Sequence, residues 1–262
     1  MHYFALNLVS YLFVIPSRLN LDEMAHYFPI ALPQRDSLLK TADARLHPSL
    51  RDPNFLVLRS RKMILEKWIA ELEGTELNVL DVGGRYQPYR PLFGERAKRY
   101  YACDILQTEL VDVLGSGESL PFADNTFDVV IATQVFEYFA RPHNAAEQIC
   151  RVLKPGGSLL MSVAALAPRF VDEECWRFTP RGIRATLVTF SDVKIVPELS
   201  SAGGTLRTLN LAVQSFSRYK PLQAIARVTT CPMLNVAGLA VDALRLTDND
   251  QFTSNYSVLA RK

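Results

Sequence analysis

Asp81 ends the apolar run LNVLDV (77–82) and is followed at once by Gly83 and Gly84, and Asp104, 23 residues after Asp81, ends a second run, RYYACD (99–104). Small residues after a strand let the backbone turn sharply and approach a ligand closely. An acid at the end of the neighbouring strand is placed to accept hydrogen bonds from ribose hydroxyls. An acid, a glycine turn and a second acid together point to an adenosine-containing cofactor. A second group of chemistry-bearing residues lies further along. Glu137 and Tyr138 follow the run FDVVIAT (127–133), and Asp172, Glu173 and Glu174 cluster in APRFVDEECWRFTP (167–180) beside Trp176 and Arg177. A carboxylate can take the proton of a hydroxyl as that oxygen forms a new bond, and an indole can pack on a sugar ring. The acid run also reads as a solvated loop. His143, beside Pro142, reads as a capping or surface residue, while His26 and His47 stand in an irregular arm and could reach a site only through tertiary folding.

Other chemistries find no support. The four cysteines, Cys103, Cys150, Cys175 and Cys231, are too far apart for zinc or redox pairs and read as buried thiols of a reducing compartment, hence a cytoplasmic protein. No metal-ligand cluster, nucleophile elbow or G-x-G-x-x-G dinucleotide turn is present. Twenty-nine Lys and Arg against 27 Asp and Glu leave a net charge of +2, too balanced to imply nucleic acid as a partner.

The elements that must position these residues are legible as an alternation. With 48% hydrophobic residues in 262, the chain can bury one large core. Residues 1–53, with Pro16, Pro29, Pro33, Pro48 and Pro53, read as an N-terminal arm of irregular chain and short helices. Asp52 and Pro53 suit a helix start, and a helix over 54–74 should present Met63, Ile64, Trp68, Ile69 and Leu72 on one face, with Gly74 as its stop. The runs at 77–82, 99–104, 127–133 and 158–163, with a helical stretch at 145–153, imply parallel strands covered on both faces. The expected fold is α/β, a doubly wound, mostly parallel seven-stranded sheet that binds ligands at the carboxyl ends of its strands. A helix over 179–187 and a strand over 192–199 follow, so that the core spans 54–203. A helical insertion over 204–250 should form a lid, and residues 251–262 carry the last strand, NYSVLAR (255–261).

Two segments raise the question of a membrane. The 13 apolar residues 3–15 are shorter than the roughly 17–25 a spanning helix needs, and they lack a basic leader and a small-residue cleavage site. Residues 232–246 are short too, and interrupted by Asn235, Asp242 and Arg245. Both read as packed or interfacial segments, with peripheral contact at a membrane carrying a lipid-linked substrate as a hypothesis.

Four blocks in order, VLDVGGRYQPY (79–89), YYACDI (100–105), GSGESLPFADNTFDVVIATQVFEYF (115–139) and ICRVLKPGGSLLMSV (149–163), resemble the class I S-adenosylmethionine-dependent methyltransferases of the small-molecule, type 11-like kind. The resemblance implies a Rossmann-like methyltransferase fold with S-adenosylmethionine as cofactor. It places Asp81, Gly83 and Gly84 at the methionine end, Asp104 at the ribose, Gly117 and Glu118 beside the adenine and Gln134 near the methyl group. Arg85 and Gln87 replace the second and third glycines of the usual turn, and Ser116 replaces an acid that commonly meets the adenine. The string DVGGRYQPYRPLF together with WRFTP is similar to a bacterial subgroup associated with surface polysaccharide or glycolipid synthesis. The activity this implies is in-line methyl transfer to an oxygen of a small or glycan-like acceptor. Glu137, Asp172 or Glu173 would be the base, and Trp176 and Tyr138 would contact the acceptor. The alternative is a binding or regulatory module that keeps the fold without catalysis, to which Arg85, Gln87 and Ser116 point.

Overall fold

The computed structural model describes residues 34–215, 219–244 and 249–262. The apolar segment 3–15, His26, Pro16, Pro29 and Pro33 lie outside them. Two helices, α1 (Arg35–Leu46) and α2 (Phe55–Glu71), precede β1 (Leu77–Val82), β2 (Ala97–Asp104), β3 (Val113–Leu114) and β4 (Phe127–Thr133). Then come α3 (Pro142–Val152), β5 (Leu153–Ala164), α4 (Pro180–Thr186) and β6 (Asp192–Pro197). Three helices, α5 (Ser201–Ser215), α6 (Lys220–Val228) and α7 (Thr230–Ala243), separate β6 from β7 (Asn255–Arg261).

The seven strands form one sheet in the order β3-β2-β1-β4-β5-β7-β6. All neighbours run parallel except β7, which lies antiparallel between β5 and β6. This is the doubly wound sheet that the alternation of runs predicts. Successive side chains of a strand point to opposite faces, and here both faces are dry. Leu80, Val82, Val130 and Met161 pack toward Ile149 of α3 and Ile183 of α4, whereas Val79, Val129, Ile131 and Leu160 pack toward Leu65, Trp68 and Ile69 of α2. Burial on both sides is why these strands read as unbroken apolar runs rather than as alternation.

Helix α2 corrects one expectation. Met63 is 51% exposed, and the position turned inward is Arg61, alongside Leu58, Leu65 and Trp68. The reason is a partner at the end of β6: both carboxylate oxygens of buried Glu198 accept from the Arg61 guanidinium at 2.9 Å. The start of α2 is displaced from the expected one: Asn54, not Asp52, is the capping residue and Pro53 precedes the helix, because Asp52 Oδ1 is taken up by the Asn54 N–H at 2.7 Å. The short connection from α2 to β1 makes them antiparallel, so the first turn of α2 lies toward the carboxyl ends of the strands. There the helices after β6 are fastened. Asn235 donates to the carbonyls of Leu50 and Asp52, and Arg207 Nη2 donates to Asn54 Oδ1 at 2.7 Å.

By length and composition Lys220–Ala243 could cross a membrane, with a mean hydropathy of 1.4. It is built as two helices meeting at Thr229, with Leu222, Ile225, Val228, Met233 and Val236 exposed. All four cysteines are free; Cys103 and Cys231 are buried and Cys150 half-buried, but Cys175 is exposed, contrary to its reading as a buried thiol, because it lies on the loop after β5. Among the described residues no group of three or more His, Cys, Asp and Glu could hold a metal ion.

Candidate active site

Strands β1 and β2 lie side by side with Asp81 opposite Ala102, which brings Asp81 and Asp104 to the same carboxyl edge. Both are buried, at 5% and 6% exposure. Burial pushes the Asp81 carboxyl up to about 7; the Tyr100 hydroxyl, donating to Oδ2 at 2.7 Å, opposes this, and the charge of Asp104 adds to it. Asp104 Oδ1 accepts from the Leu106 N–H at 2.9 Å, and Oδ2 lies 3.7 Å from Arg85 Nε.

The turn between them needs its glycines. Gly83 has φ of +79°, its N–H donates to the Cys103 carbonyl at 2.8 Å, and a Cβ on it would stand 2.8 Å from Val135 Cγ2. A Cβ on Gly84 would stand 2.8 Å from the Asp81 carboxyl carbon. Gln87 stands where the usual turn has a glycine, and it adopts a left-handed conformation, with φ of +51°. Its buried amide donates to the Leu110 carbonyl and accepts from Arg90 at 2.9 Å, so it is tied to the loop after β2.

The loop carrying Gly117 and Glu118 starts where Gly115 donates to the Asp104 carbonyl at 3.0 Å, beside the end of β2. The Ser116 hydroxyl accepts from the Glu118 N–H at 3.2 Å, and Glu118 Oε1 accepts from the Arg141 N–H at 2.8 Å. Gln134, with φ of +53°, follows β4 directly. Its side chain donates to Ser162 Oγ and accepts from Asn255 Nδ2, both at 3.0 Å, which binds β4 to β5 and β7.

Glu137 sits in the 3-10 turn Phe136–Tyr138 and is buried. One carboxylate oxygen accepts from the Ala164 N–H, and Oε2 has no partner. Burial raises its carboxyl to about 7, against the lowering by that N–H. The loop after β5 is fastened to this turn: Cys175 and Trp176 N–H groups donate to the Glu137 carbonyl at 2.7 and 3.2 Å, and the Trp176 indole donates to the Phe139 carbonyl at 2.7 Å. Tyr138 and Trp176 are thereby brought to one place, each partly exposed. Burial, followed by the charge of Glu174, raises the Tyr138 phenol to about 12. Asp172 and Glu173 are not brought to Glu137. Asp172 is 83% exposed and pairs with Arg169 at 3.0 Å, and Glu173 is half-buried on the same loop.

Residues 80–161 match the family model of the methyltransferase domain. The matched segment begins inside β1, ends inside β5 and contains Asp81, Asp104, Gly117, Glu118, Gln134 and Glu137. Among similar proteins, an uncharacterized methyltransferase of Mycobacterium sp. (strain JLS) is 31% identical over 112 residues, 38% of this chain and 44% of that protein. An uncharacterized methyltransferase of Mycobacterium tuberculosis (strain ATCC 25618 / H37Rv) is 29% identical over 146 residues, 49% of this chain and 57% of that protein. The chain thus spans about half the length of the curated relatives it matches. A solved structure described as a SAM-dependent methyltransferase from Archaeoglobus fulgidus aligns at a TM-score of 0.48 with 16% identity, over 77% of this chain and 94% of that one.

Sequence reasoning missed several residues at this edge. Tyr100 was in view in RYYACD but gave no sign of its bond to Asp81. Arg207, Ser254 and Asn255 lie outside residues 80–161 and reach this edge of the sheet only because the chain returns there through α5 and β7.

Proposed function

We propose that the protein is an S-adenosylmethionine-dependent methyltransferase acting on a hydroxyl of a small, glycan-like acceptor. The observation that carries this is the pair of buried carboxylates, Asp81 and Asp104, at adjacent strand ends around a glycine turn, within the segment that matches the methyltransferase domain. The residues present fit the cofactor. Asp104 Oδ2 is met by an ion pair with half-exposed Arg85 at 3.7 Å rather than by a hydrogen bond, and Gly83 and Gly84 let the turn pack directly on Val135 and Asp81, which holds the two carboxyls at one edge. Asp81, Gly83 and Gly84 would hold the methionine end, Asp104 the ribose, and the loop of Gly117 and Glu118 the adenine. When bound, S-adenosylmethionine supplies an electrophilic methyl group on a sulfonium. The protein's work is then to align the acceptor, exclude water and accept one proton. For the last role we take Glu137, a buried carboxyl with one oxygen free of partners, over Asp172 and Glu173 on the exposed loop. Trp176 and Tyr138 supply the aromatic surface for a sugar ring. A cytoplasmic location, with the exposed apolar side of α6 and α7 touching a membrane that carries the acceptor, belongs to the same proposal.

Calorimetric titration with S-adenosylhomocysteine tests the cofactor. Asp104→Ala removes charge-assisted hydrogen bonds and should weaken binding by about 1.5–3 kcal/mol, roughly ten- to a hundredfold. Equal affinity in the folded variant would refute the ribose assignment, and no heat from the unsubstituted protein would favour the binding-module alternative. Arg85→Ala should act in the opposite direction. Its half-exposed ion pair with Asp104 competes with the ribose and is worth no more than about 0.2–1 kcal/mol, so the same titration should show a tightening of up to about fivefold. A large loss on Arg85→Ala would instead make Arg85 part of the cofactor site.

A further inference from the structure

Among the described residues, five buried side-chain atoms have no hydrogen-bond partner: Glu137 Oε2, Arg207 Nε and Nη1, Ser254 Oγ and Asn255 Oδ1. They are not scattered. Asn255 is paired with Ala164 across β5 and β7, and the Ala164 N–H is the donor to Glu137. The Asn255 carbonyl accepts from the Glu198 N–H at 2.9 Å, and the Glu198 charge acts on Arg207. The charges of Arg61 and Arg177 act on both Glu137 and Arg207. The orphaned atoms of Glu137, Ser254 and Asn255 therefore lie where β4 and β5 end and β7 begins, and Arg207 of α5 shares the charged surroundings of Glu137.

A buried polar atom left unpaired costs about 1–3 kcal/mol, more when charged, and native folds leave few of them. The cation is the most demanding. Arg207 is 4% exposed and gives one hydrogen bond to Asn54. The nearest carboxylates make no hydrogen bond to it: Glu198 is engaged by Arg61, Ser162 and Ser257, and Asp52 accepts from the Asn54 N–H. Burial, then the charge of Arg61, lowers Arg207 to about 10, which leaves it cationic at neutral pH. Two donors on a cation beside three atoms able to accept make a set that is complementary to a hydroxylated anion and to nothing in the fold.

We propose that these atoms are the acceptor site, and that the acceptor is a hydroxylated anion whose carboxylate or phosphate is held by Arg207 Nε and Nη1 while a hydroxyl faces Glu137 Oε2 and Asn255 Oδ1. This rests on the methyl-transfer reading and narrows its substrate class. The route in is a cavity of about 990 Å³ between residues 49–54, Phe170 and the helices α5 and α6. Asn54, whose Oδ1 accepts from Arg207, lines it, as does Leu211, one helical turn beyond Arg207. Arg51, Lys220 and Arg227 outnumber Asp52 along its wall, a charge balance that favours entry of an anion.

The test is the 15N–1H signal of the Arg207 Nε–H, assigned through bonds in the unsubstituted protein and checked by its loss in Arg207→Lys. Glucuronate, glucose 6-phosphate and glucose are titrated in turn, with S-adenosylhomocysteine binding measured separately by calorimetry. A saturable shift with either anion and none with glucose is expected, the stronger of the two telling carboxylate from phosphate, with at least tenfold weaker binding to folded Arg207→Lys. A signal that neither anion moves, or that glucose moves equally, overturns the proposal. S-adenosylhomocysteine binding without an anion response overturns this site and leaves the methyl-transfer reading standing, and an anion response without cofactor binding does the reverse.

Discussion

Glu137→Gln should lower methyl transfer by roughly 10²–10⁴-fold, the span associated with loss of a positioned base, and leave affinity for S-adenosylhomocysteine unchanged. The readout is incorporation of tritium from labelled S-adenosylmethionine into a small-molecule extract. Glutamine keeps the shape of the side chain and an oxygen for the Ala164 N–H, so what is lost is the ability of the other oxygen to take a proton. The pH profile separates this from structural damage. Burial raises Glu137 to about 7, so the carboxylate that acts as base forms only as pH rises through 7, and the rate should climb over that interval. The limb should vanish in the variant. Stability should move the other way. A carboxyl whose folded value lies above its unfolded value binds its proton more tightly in the native state, so the native state loses stability as pH rises from about 4.5 through 7. Glu137→Gln removes that loss and should be at least as stable as the parent at pH 8. Retention of the rate, or of the limb, would remove Glu137 from the chemistry.

The parts of this site that could be read from sequence are those whose chemistry coincides with a local pattern. Strands β1, β4 and β7 span 77–82, 127–133 and 255–261, as their apolar runs predict, because a strand buried on both faces must be apolar throughout. Asp81 and Asp104 stood out because an acid ending such a run is out of keeping with its neighbours. Arg61 did not, because hydropathy assigns a charged residue to the outer face of α2, and the partner that draws it inward is 137 residues away in sequence. Arg207 and Asn255 fail for the same reason. Nothing local distinguishes them, and their unpaired atoms become visible only when the chain returns through α5 and β7. Gln87 shows the limit of motif reading: it stands where the usual turn has a glycine, yet a glutamine in the left-handed region, tied to Leu110, makes the bend. Asp172 shows the opposite limit, since an acid cluster that looked like chemistry has a member paired with Arg169 in solvent.

The Arg61–Glu198 pair underlies all of this, and Glu198→Ala is expected to destabilise the fold by about 3–5 kcal/mol, as removing one partner of a buried ion pair does. Three layers depend on this carboxylate. It accepts two bonds from Arg61 of α2, one from Ser162 Oγ of β5 at 2.6 Å and one from Ser257 Oγ of β7 at 2.8 Å. Burial alone would lower Arg61, and the Glu198 carboxylate more than offsets this. With alanine at 198 the guanidinium would stay buried without its counter-charge and both hydroxyls would lose an acceptor. The paired substitution Arg61→Met with Glu198→Gln should recover most of the loss, because the charge is gone from both sides and the glutamine oxygen still accepts from the serines. Urea unfolding of the parent and the two variants checks this. A cost under about 1 kcal/mol for Glu198→Ala would match an exposed pair rather than a buried one and would mean that water reaches Arg61. Because Glu198 donates its N–H to Asn255, loosening this knot should disturb the proposed acceptor side of the site before the carboxyl pair of β1 and β2. S-adenosylhomocysteine affinity at low temperature should therefore survive in a Glu198→Ala protein whose Arg207 signal has already shifted.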